Sequence, residues 1–429
     1  MIKHLFKIIW NQRSGNGWII LELFLVFILL WYIVDFFTVL GVTATTPNGF
    51  EIKDTYLVKL SVRQPDNPKH FNYGEASEEP GKNFFRIIDR IRQHPNVEEV
   101  GFGKWSYPYC SSSMFNSYTH DSTSLQCQVF EVSPEYFTIF KIKPENGDSS
   151  EDLSKAISNF VSEPVSNKSK QAIISQTVNE KLFFGKPTTK KVLNLKNDSS
   201  QVNILAVTTN IKPYEYTRPE AFILFPINYA ELLTQNDQDI WSYYEIFFRT
   251  KSSFPANDFA EKFKQEMKIP LNIGNFFLAD IQPLGNVRKE YLRNKGITSS
   301  LQYRVGFSIF FLINIFLAVI GTFWFRIEQR QSEIGLRMAV GSSRRNILKI
   351  MFQESLLLFF IAAIPAILIC FNMQKLEFIS ADQMDLTFGR FIINTCVTSG
   401  LLIAVILLGN WYPSYRASRI SPADALHYE

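Results

Sequence analysis

Groups able to do covalent or metal chemistry are few and badly spaced in this sequence. A phosphate-cradling loop needs Gly-x-x-x-x-Gly-Lys-Ser/Thr, so that backbone N–H groups and a lysine surround the phosphates. Gly185-Lys186 lacks the upstream glycine and runs into Pro187. No His-Glu-x-x-His occurs, and five histidines are too few for a rich metal site. Ser, His and Asp are present, but no spacing selects a triad among them. The expectation is a chain with no catalytic residues and no metal. Cys110 and Cys127 lie in a water-soluble stretch. Outside the cytoplasm a disulfide between them is permitted; the alternative is two free buried thiols.

The remaining polar groups of interest sit in or beside apolar runs. Asn314 falls in the middle of one such run, where a single interhelical hydrogen bond is the plainer reading and a dimer interface or conduit the sharper one. Glu22 and Glu354 lie near the ends of apolar runs, where a carboxylate is expected to reach water, and Asp35 is expected to face water likewise. The densest charge is in Arg326–Lys349, with Arg326, Arg330, Arg337, Arg344, Arg345 and Lys349.

These residues must be positioned by four apolar segments of roughly the 20 residues that a bilayer core requires: 18–40, 301–325, 347–371 and 391–412. Between them, 41–300 reads as an ordinary soluble sequence. Overall composition is uninformative by comparison. Lys and Arg number 44 against 40 Asp and Glu, and no nucleic-acid patch stands out. Phe is frequent, at 39, and many of these residues fall in the apolar runs, where large side chains suit lipid. The first run is too long, and too poorly closed at Gly41-Val42-Thr43-Ala44, for a cleaved signal peptide.

Orientation follows from basic residues in short flanks. Lys3, Lys7 and Arg13, the 326–349 stretch, and Arg416 and Arg419 place both termini and that stretch on the cytoplasmic side. The loop 372–390 has only Lys375 and Arg390 against Glu377, Asp382 and Asp385. The expected fold class is therefore an α-helical membrane protein with four transmembrane helices and a large α+β extracytoplasmic domain between helices 1 and 2. The expected segments are 1–17, 18–40, 41–300, 301–325, 326–346, 347–371, 372–390, 391–412 and 413–429. The first, with Ile2, Leu5, Phe6 and Ile9 on one stripe, reads as an interfacial amphipathic helix broken from the first span by Ser14-Gly15-Asn16-Gly17.

Within 41–300, Thr55–Val62 reads as a strand, Asn83–Pro95 as a helix ended by Pro95, and Asn96–Tyr107 as a strand again. Two further strand and helix stretches follow, with no exact repeat. Ser149–Lys170 reads as a loop or weak helix. Two tripeptides, Asn167-Lys168-Ser169 and Asn197-Asp198-Ser199, match a glycosylation sequon only weakly.

The 326–349 stretch reads as a helix that continues past Phe325, ends at Gly341 as a C′ residue, and restarts after a Ser342 or Ser343 cap. Glu333 and Arg337 form an i, i+4 pair on a solvated side, while Ile334, Met338 and Ala339 lie toward another. A topological anchor needs only Lys and Arg. Ile334-Gly335-Leu336-Arg337-Met338-Ala339 before a Gly-Ser-Ser turn suits docking into a groove on another protein.

This stretch, Arg330-Gln-Ser-Glu333-Ile334-Gly335-Leu336-Arg337-Met338-Ala339-Val340-Gly341 with Ile347 beyond, resembles the cytoplasmic loop of the MacB/FtsX-like permeases, or type VII ABC transporters. Pro413-Ser-Tyr-Arg416-Ala417-Ser-Arg419-Ile-Ser-Pro422-Ala-Asp-Ala425-Leu426 resembles their tail. "VSPEYFTIFKIKPENGD" and "AIISQTVNEKLFFG" resemble the MacB periplasmic core. The resemblance implies a bacterial inner-membrane permease subunit, dimeric with a second copy or a homologous permease. It implies mechanotransmission to the periplasmic domain for efflux or export of a peptide, drug or toxin. Glu333, Ile334, Gly335, Leu336, Arg337, Met338, Ala339 and Gly341 would couple to an ATPase. ATP and Mg would be bound by that ATPase, expected as a separate polypeptide, and no cofactor by this chain. A membrane-fusion protein and outer-membrane channel are further implied partners. A lipoprotein-releasing permease and an FtsX-like regulator of a cell-wall hydrolase remain alternatives.

Overall fold

The computed structural model describes residues 13–74, 77–147, 149–162, 169–186, 191–196, 200–235 and 239–417. The amphipathic stripe Ile2–Ile9, both sequon asparagines and the tail beyond Ala417 lie outside the described residues. In chain order α1 (Arg13–Thr45) leads to β1 (Thr55–Val62), α2 (Glu79–Arg92), β2 (Val97–Lys104), β3 (Met114–His120) and β4 (Thr123–Val132). There follow α3 (Tyr136–Ile139), α4 (Ser150–Ser158), β5 (Ser169–Ser175), α5 (Gln176–Phe183), β6 (Val192–Leu195), β7 (Gln201–Thr208), β8 (Phe222–Pro226) and α6 (Tyr229–Leu233). Next come β9 (Tyr244–Thr250), α7 (Ala256–Met267), β10 (Phe276–Pro283) and α8 (Leu284–Asn294). The chain continues as α9 (Ile297–Gln329), α10 (Gln331–Ala339), α11 (Arg344–Lys375) and α12 (Phe388–Ala417). Two units result, one of residues 46–298 and one of 1–45 with 299–429.

The inserted unit is α+β. Its strands run β10-β1-β9-β2-β4-β3-β6-β7-β5-β8, and β8 also pairs in parallel with β4. The last six strands therefore close on themselves, which removes their edges. Val129, Ile174, Val202 and Ile223 fill that ring, and α5 plugs it with Val178, Leu182 and Phe183. On the other half of the sheet α2 and α7 pack an aromatic core. Tyr56 stacks on Phe248 at 5.3 Å, and Phe248 on Phe263 at 4.8 Å. The apolar spacing of α2 points Phe84, Ile87, Ile88 and Ile91 into this core, and all four are buried. Pro80 opens that helix, where its missing N–H costs nothing. The helix ends at Arg92, three residues before Pro95.

Among the described residues the other unit holds four helices long and apolar enough to cross a membrane: Asn16–Thr45, Ile297–Gln329, Arg344–Lys375 and Phe388–Tyr415. Phe27, Trp31, Phe359, Ala362, Ala366, Leu402 and Ile406 form the shared interior. Ala362 and Ala366 let α11 approach α1 closely, as small residues do in membrane bundles.

Besides Glu354, described below, three sequence expectations fail in this unit. The proposed break at Ser14–Gly17 is absent, and α1 runs through it. Two glycines cost a helix only about 1 kcal/mol each, which does not stop a helix that the long apolar run after them propagates. Asn314 makes no interhelical bond either. It is exposed, and its Nδ2 donates to the Phe310 carbonyl of its own helix at 2.8 Å. Asp35, expected in water, is 2% exposed. Arg390 grips it with Nε at 2.8 Å and Nη2 at 2.7 Å, and Asn394 Nδ2 adds a third bond at 2.6 Å. Arg390 is thus a neutralised group inside α12 and not a free loop cation. Removing it from the 372–390 tally leaves Lys375 alone there, which sharpens the charge bias.

An ion pair this deep is costly to split and far cheaper to replace whole. Asp35→Asn should lower stability by about 3–5 kcal/mol because the Arg390 charge stays buried. Asp35→Leu with Arg390→Met should recover most of the loss. Thermal unfolding in detergent checks both, and a double variant no better than the single would refute the pairing.

Candidate functional site

Residues 326–349 form a compact elbow built by local sequence. α9 ends at Gln329 and α10 turns away at once, starting at Gln331. Val340 closes α10, and Gly341 takes φ +98°, a conformation that side chains disfavour. The Ser342 N–H donates to Arg337 O and the Gly341 N–H to Met338 O, both at 3.0 Å. This is a Schellman ending, as a glycine at C′ implies. Of the two serines, Ser343 is the cap, with its side chain accepting from the Asn346 N–H.

Under the elbow lies a small apolar brace. Ile334 packs with Ile327 of α9 and Ile347 of α11, flanked by Met338 and Met351. Beside it runs a chain of alternating charges. Glu354, on α11, is 2% exposed and bonds Arg330 Nη1, with Arg326 Nη2 at 3.7 Å. Arg330 also grips Glu333 bidentately, through Nε at 2.8 Å and Nη2 at 3.1 Å. Arg337 Nη2 reaches the same carboxylate at 2.6 Å. Burial raises the pKa of the Glu333 carboxyl, but Arg330 and Arg337 outweigh it and hold it below the ordinary value. Burial likewise opposes the Arg330 charge, and its hydrogen bonds to Glu333 and Glu354 hold it on.

Glu354 was therefore misread as a water-facing carboxylate. Its partners lie 24 and 28 residues back on another helix, a separation that no local spacing rule covers. The coupling set divides in two. Glu333, Ile334, Gly335, Arg337 and Met338 are buried or half-buried and hold the elbow. Leu336 (56% exposed), Ala339, Val340 (82%) and Gly341 are exposed. Sequence reasoning missed Val340, which shares the exposed side with Leu336 four residues earlier. Exposed Arg344, Arg345 and Lys349 lie just beyond. The surface is an apolar tip with a basic flank.

Cys110 and Cys127 are free thiols. Cys127 points into the strand ring, whereas Cys110 lines a separate aromatic cavity with Tyr107 and Tyr136. The bridge permitted by sequence is not formed. Among the described residues no group of His, Cys, Asp and Glu is arranged to hold a metal.

Residues 305–422 match the model of the FtsX-like permease C-terminal domain. The chain is 22% identical over 369 residues to the macrolide export ATP-binding/permease protein MacB of Neisseria gonorrhoeae, covering 81% of this chain and 51% of that protein. It is 32% identical over 104 residues to the MacB of Syntrophobacter fumaroxidans, covering 24% and 14%. It is 33% identical over 106 residues to the uncharacterized ABC transporter permease YvrN of Bacillus subtilis, covering 24% of each. The chain thus spans about half or less of the MacB relatives' length. Among solved structures, the periplasmic region of MacB from Actinobacillus actinomycetemcomitans aligns at TM-score 0.33 and 8% identity, over 57% of this chain and 95% of that one. The extracellular domain of the transporter YknZ aligns at TM-score 0.30 and 14% identity, over 52% and 100%. The matched stretch, residues 305–422, takes in most of α9 and all of α10, α11 and α12.

The division of the elbow is measurable. Ile334→Ala should cost about 2–5 kcal/mol of local stability, as deletion of a packed side chain does. Leu336→Ala should cost less than about 0.5 kcal/mol. Amide exchange across α10 reads both, and equal loosening by the two would contradict the assignment.

Proposed function

We propose that this chain is the permease subunit of an ABC transporter, with α10 as the element that docks on the ATPase. One observation carries the reading: Leu336, Ala339 and Val340 form an exposed apolar tip on a helix braced from beneath by ions and isoleucines. A lone apolar tip on a mobile loop would only bind. A tip fixed to α9 and α11 can also pass a displacement to those spans, and α9 is joined to the inserted unit by the chain at residues 298–299. The basic flank of Arg344, Arg345 and Lys349 calls for an acidic rim on the partner groove, which sets docking register more than affinity.

In this reading the ATPase is a partner polypeptide that binds ATP and Mg, and the chain itself binds neither. The 429 residues contain no phosphate-binding Gly-x-x-x-x-Gly-Lys-Ser/Thr loop. The bilayer is a bacterial cytoplasmic membrane, and the elbow faces the cytoplasm, as the basic flanks require. A second permease copy completes the assembly. The inserted domain then acts outside on an export apparatus, which in a two-membrane cell includes a membrane-fusion protein and an outer-membrane channel. Efflux or export is the reading favoured by the likeness to MacB, a macrolide export protein.

Gly335 and Met338 are poor sites for a docking test because both are packed. Leu336→Asp and Val340→Asp are better. Each should leave the protein inserted and folded and reduce recovery of the ATPase on co-purification by about tenfold or more. Undiminished recovery with both variants would refute docking at this tip.

A further inference from the structure

The chain enters the inserted unit at Thr46 and leaves it after α8. One segment, the connection between β7 and β8, meets both crossings. At the entry the Lys212 N–H donates to Asn48 O at 2.9 Å, and Lys212 Nζ donates to Thr46 O at 3.2 Å. Gly49, at φ +83°, lies so close to the same segment that a Cβ there would stand 2.2 Å from Asn210 O. The next residues are held separately, by Arg249 of β9 through the Lys53 carbonyl at 2.9 Å and the Glu51 carbonyl at 3.3 Å. At the exit Glu215 accepts from Arg288 Nε of α8 and from the Tyr109 hydroxyl, each at 2.5 Å. Beside it Tyr214 meets Tyr291 of α8, with ring centroids 6.2 Å apart.

The two grips are joined. Lys212 is 1% exposed, and its ammonium also donates to the Glu215 carbonyl at 2.7 Å. Burial lowers the pKa of that ammonium, and the Glu215 charge opposes the lowering. Burial raises the pKa of the Glu215 carboxyl, but its bonds from Tyr109 and Arg288 outweigh this and hold it below the ordinary value. The carboxylate that grips the exit therefore also supports the charge that grips the entry. The connection is rooted in the closed ring. β7 and β8 are ring strands, and Thr177 of α5 donates to Asn210 Oδ1 at 2.9 Å.

We infer that the β7–β8 connection is a clasp, in which Lys212 and Glu215 act in series to fasten both chain crossings to the strand ring. Neither crossing can leave the ring without opening the link to the other. Its use in passing a displacement from the spans to the ring rests on the permease reading above. The clasp itself does not.

The test uses the full chain in nanodiscs without an ATPase, so its outcome is independent of that reading. Spin labels on a genetically encoded ketone residue, which spares the native cysteines, go at Thr46 and Asn294, both exposed. A control pair goes at exposed Lys59 of β1 and Glu261 of α7. The unaltered protein should give a narrow 46–294 distance distribution. Lys212→Met and Glu215→Gln should each broaden it about twofold or more. The double variant should be no broader than the broader single, because links in series are not additive. The control pair should stay narrow throughout. Lys212→Gln, too short to reach both carbonyls, replaces Lys212→Met if the latter does not fold. A broad distribution in the unaltered protein, no broadening in either single variant, additive broadening in the double, or equal broadening of the control pair would overturn the inference.

Discussion

The contact between Glu354 and Arg330 governs how the membrane unit can act. A carboxylate that is 2% exposed cannot remain charged without a partner, and Arg330 is the residue at the junction of α9 and α10. Holding that one guanidinium fixes where α10 leaves α9. Through Glu333 the same guanidinium also fixes the next turn and a half of α10, because Arg337 shares that carboxylate. The apolar brace of Ile327, Ile334 and Ile347 could slide on its own. The ion chain beside it cannot slide without stranding a buried charge. The result is an elbow that moves with α9 and α11 or not at all.

A second buried ion pair, Asp35 with Arg390, does comparable work between α1 and α12. The two lie on different helix pairs of the bundle. Along α12 the buried Arg390, Asn394 and Thr398 are separated from the buried Asn410 and Ser414 by an apolar stretch at Leu402 and Ile406. Each ion pair is a local constraint on which helices travel together, and neither is a continuous polar path. A transmitter of displacement needs such fixed pairs. A conduit would need polar groups along the intervening interior.

Much of this was legible in the sequence. Apolar length marks the four spans. Gly341 before Ser342-Ser343 reads as a stop and restart because only glycine takes that φ without strain. Thr55–Val62 has the β-branched and aromatic content of a strand and is one. What failed shares a cause. Asp35 and Glu354 looked like residues near water because their partners sit 355 and 24 residues away in the chain. Burial of a charge is decided by tertiary pairing, which spacing does not encode. The phase of α10 was ambiguous for a related reason. Ile334 with Met338 and Leu336 with Val340 are both i, i+4 apolar pairs, and only the position of α9 and α11 decides which pair faces in. The closed ring of β3–β8 was also hidden, because strand content says nothing of the parallel β4–β8 pairing that closes it.

The most direct test of a rigid elbow is Glu354→Gln in the proposed complex of two permease copies with an ATPase. Spin labels on α8 of the two permease copies would report the ATP-dependent change in their separation. The variant should capture the ATPase as well as the unaltered protein does, since Leu336 and Val340 are untouched. It should hydrolyse ATP yet lose most of the distance change. A full distance change in Glu354→Gln would mean that the buried carboxylate does not carry the motion.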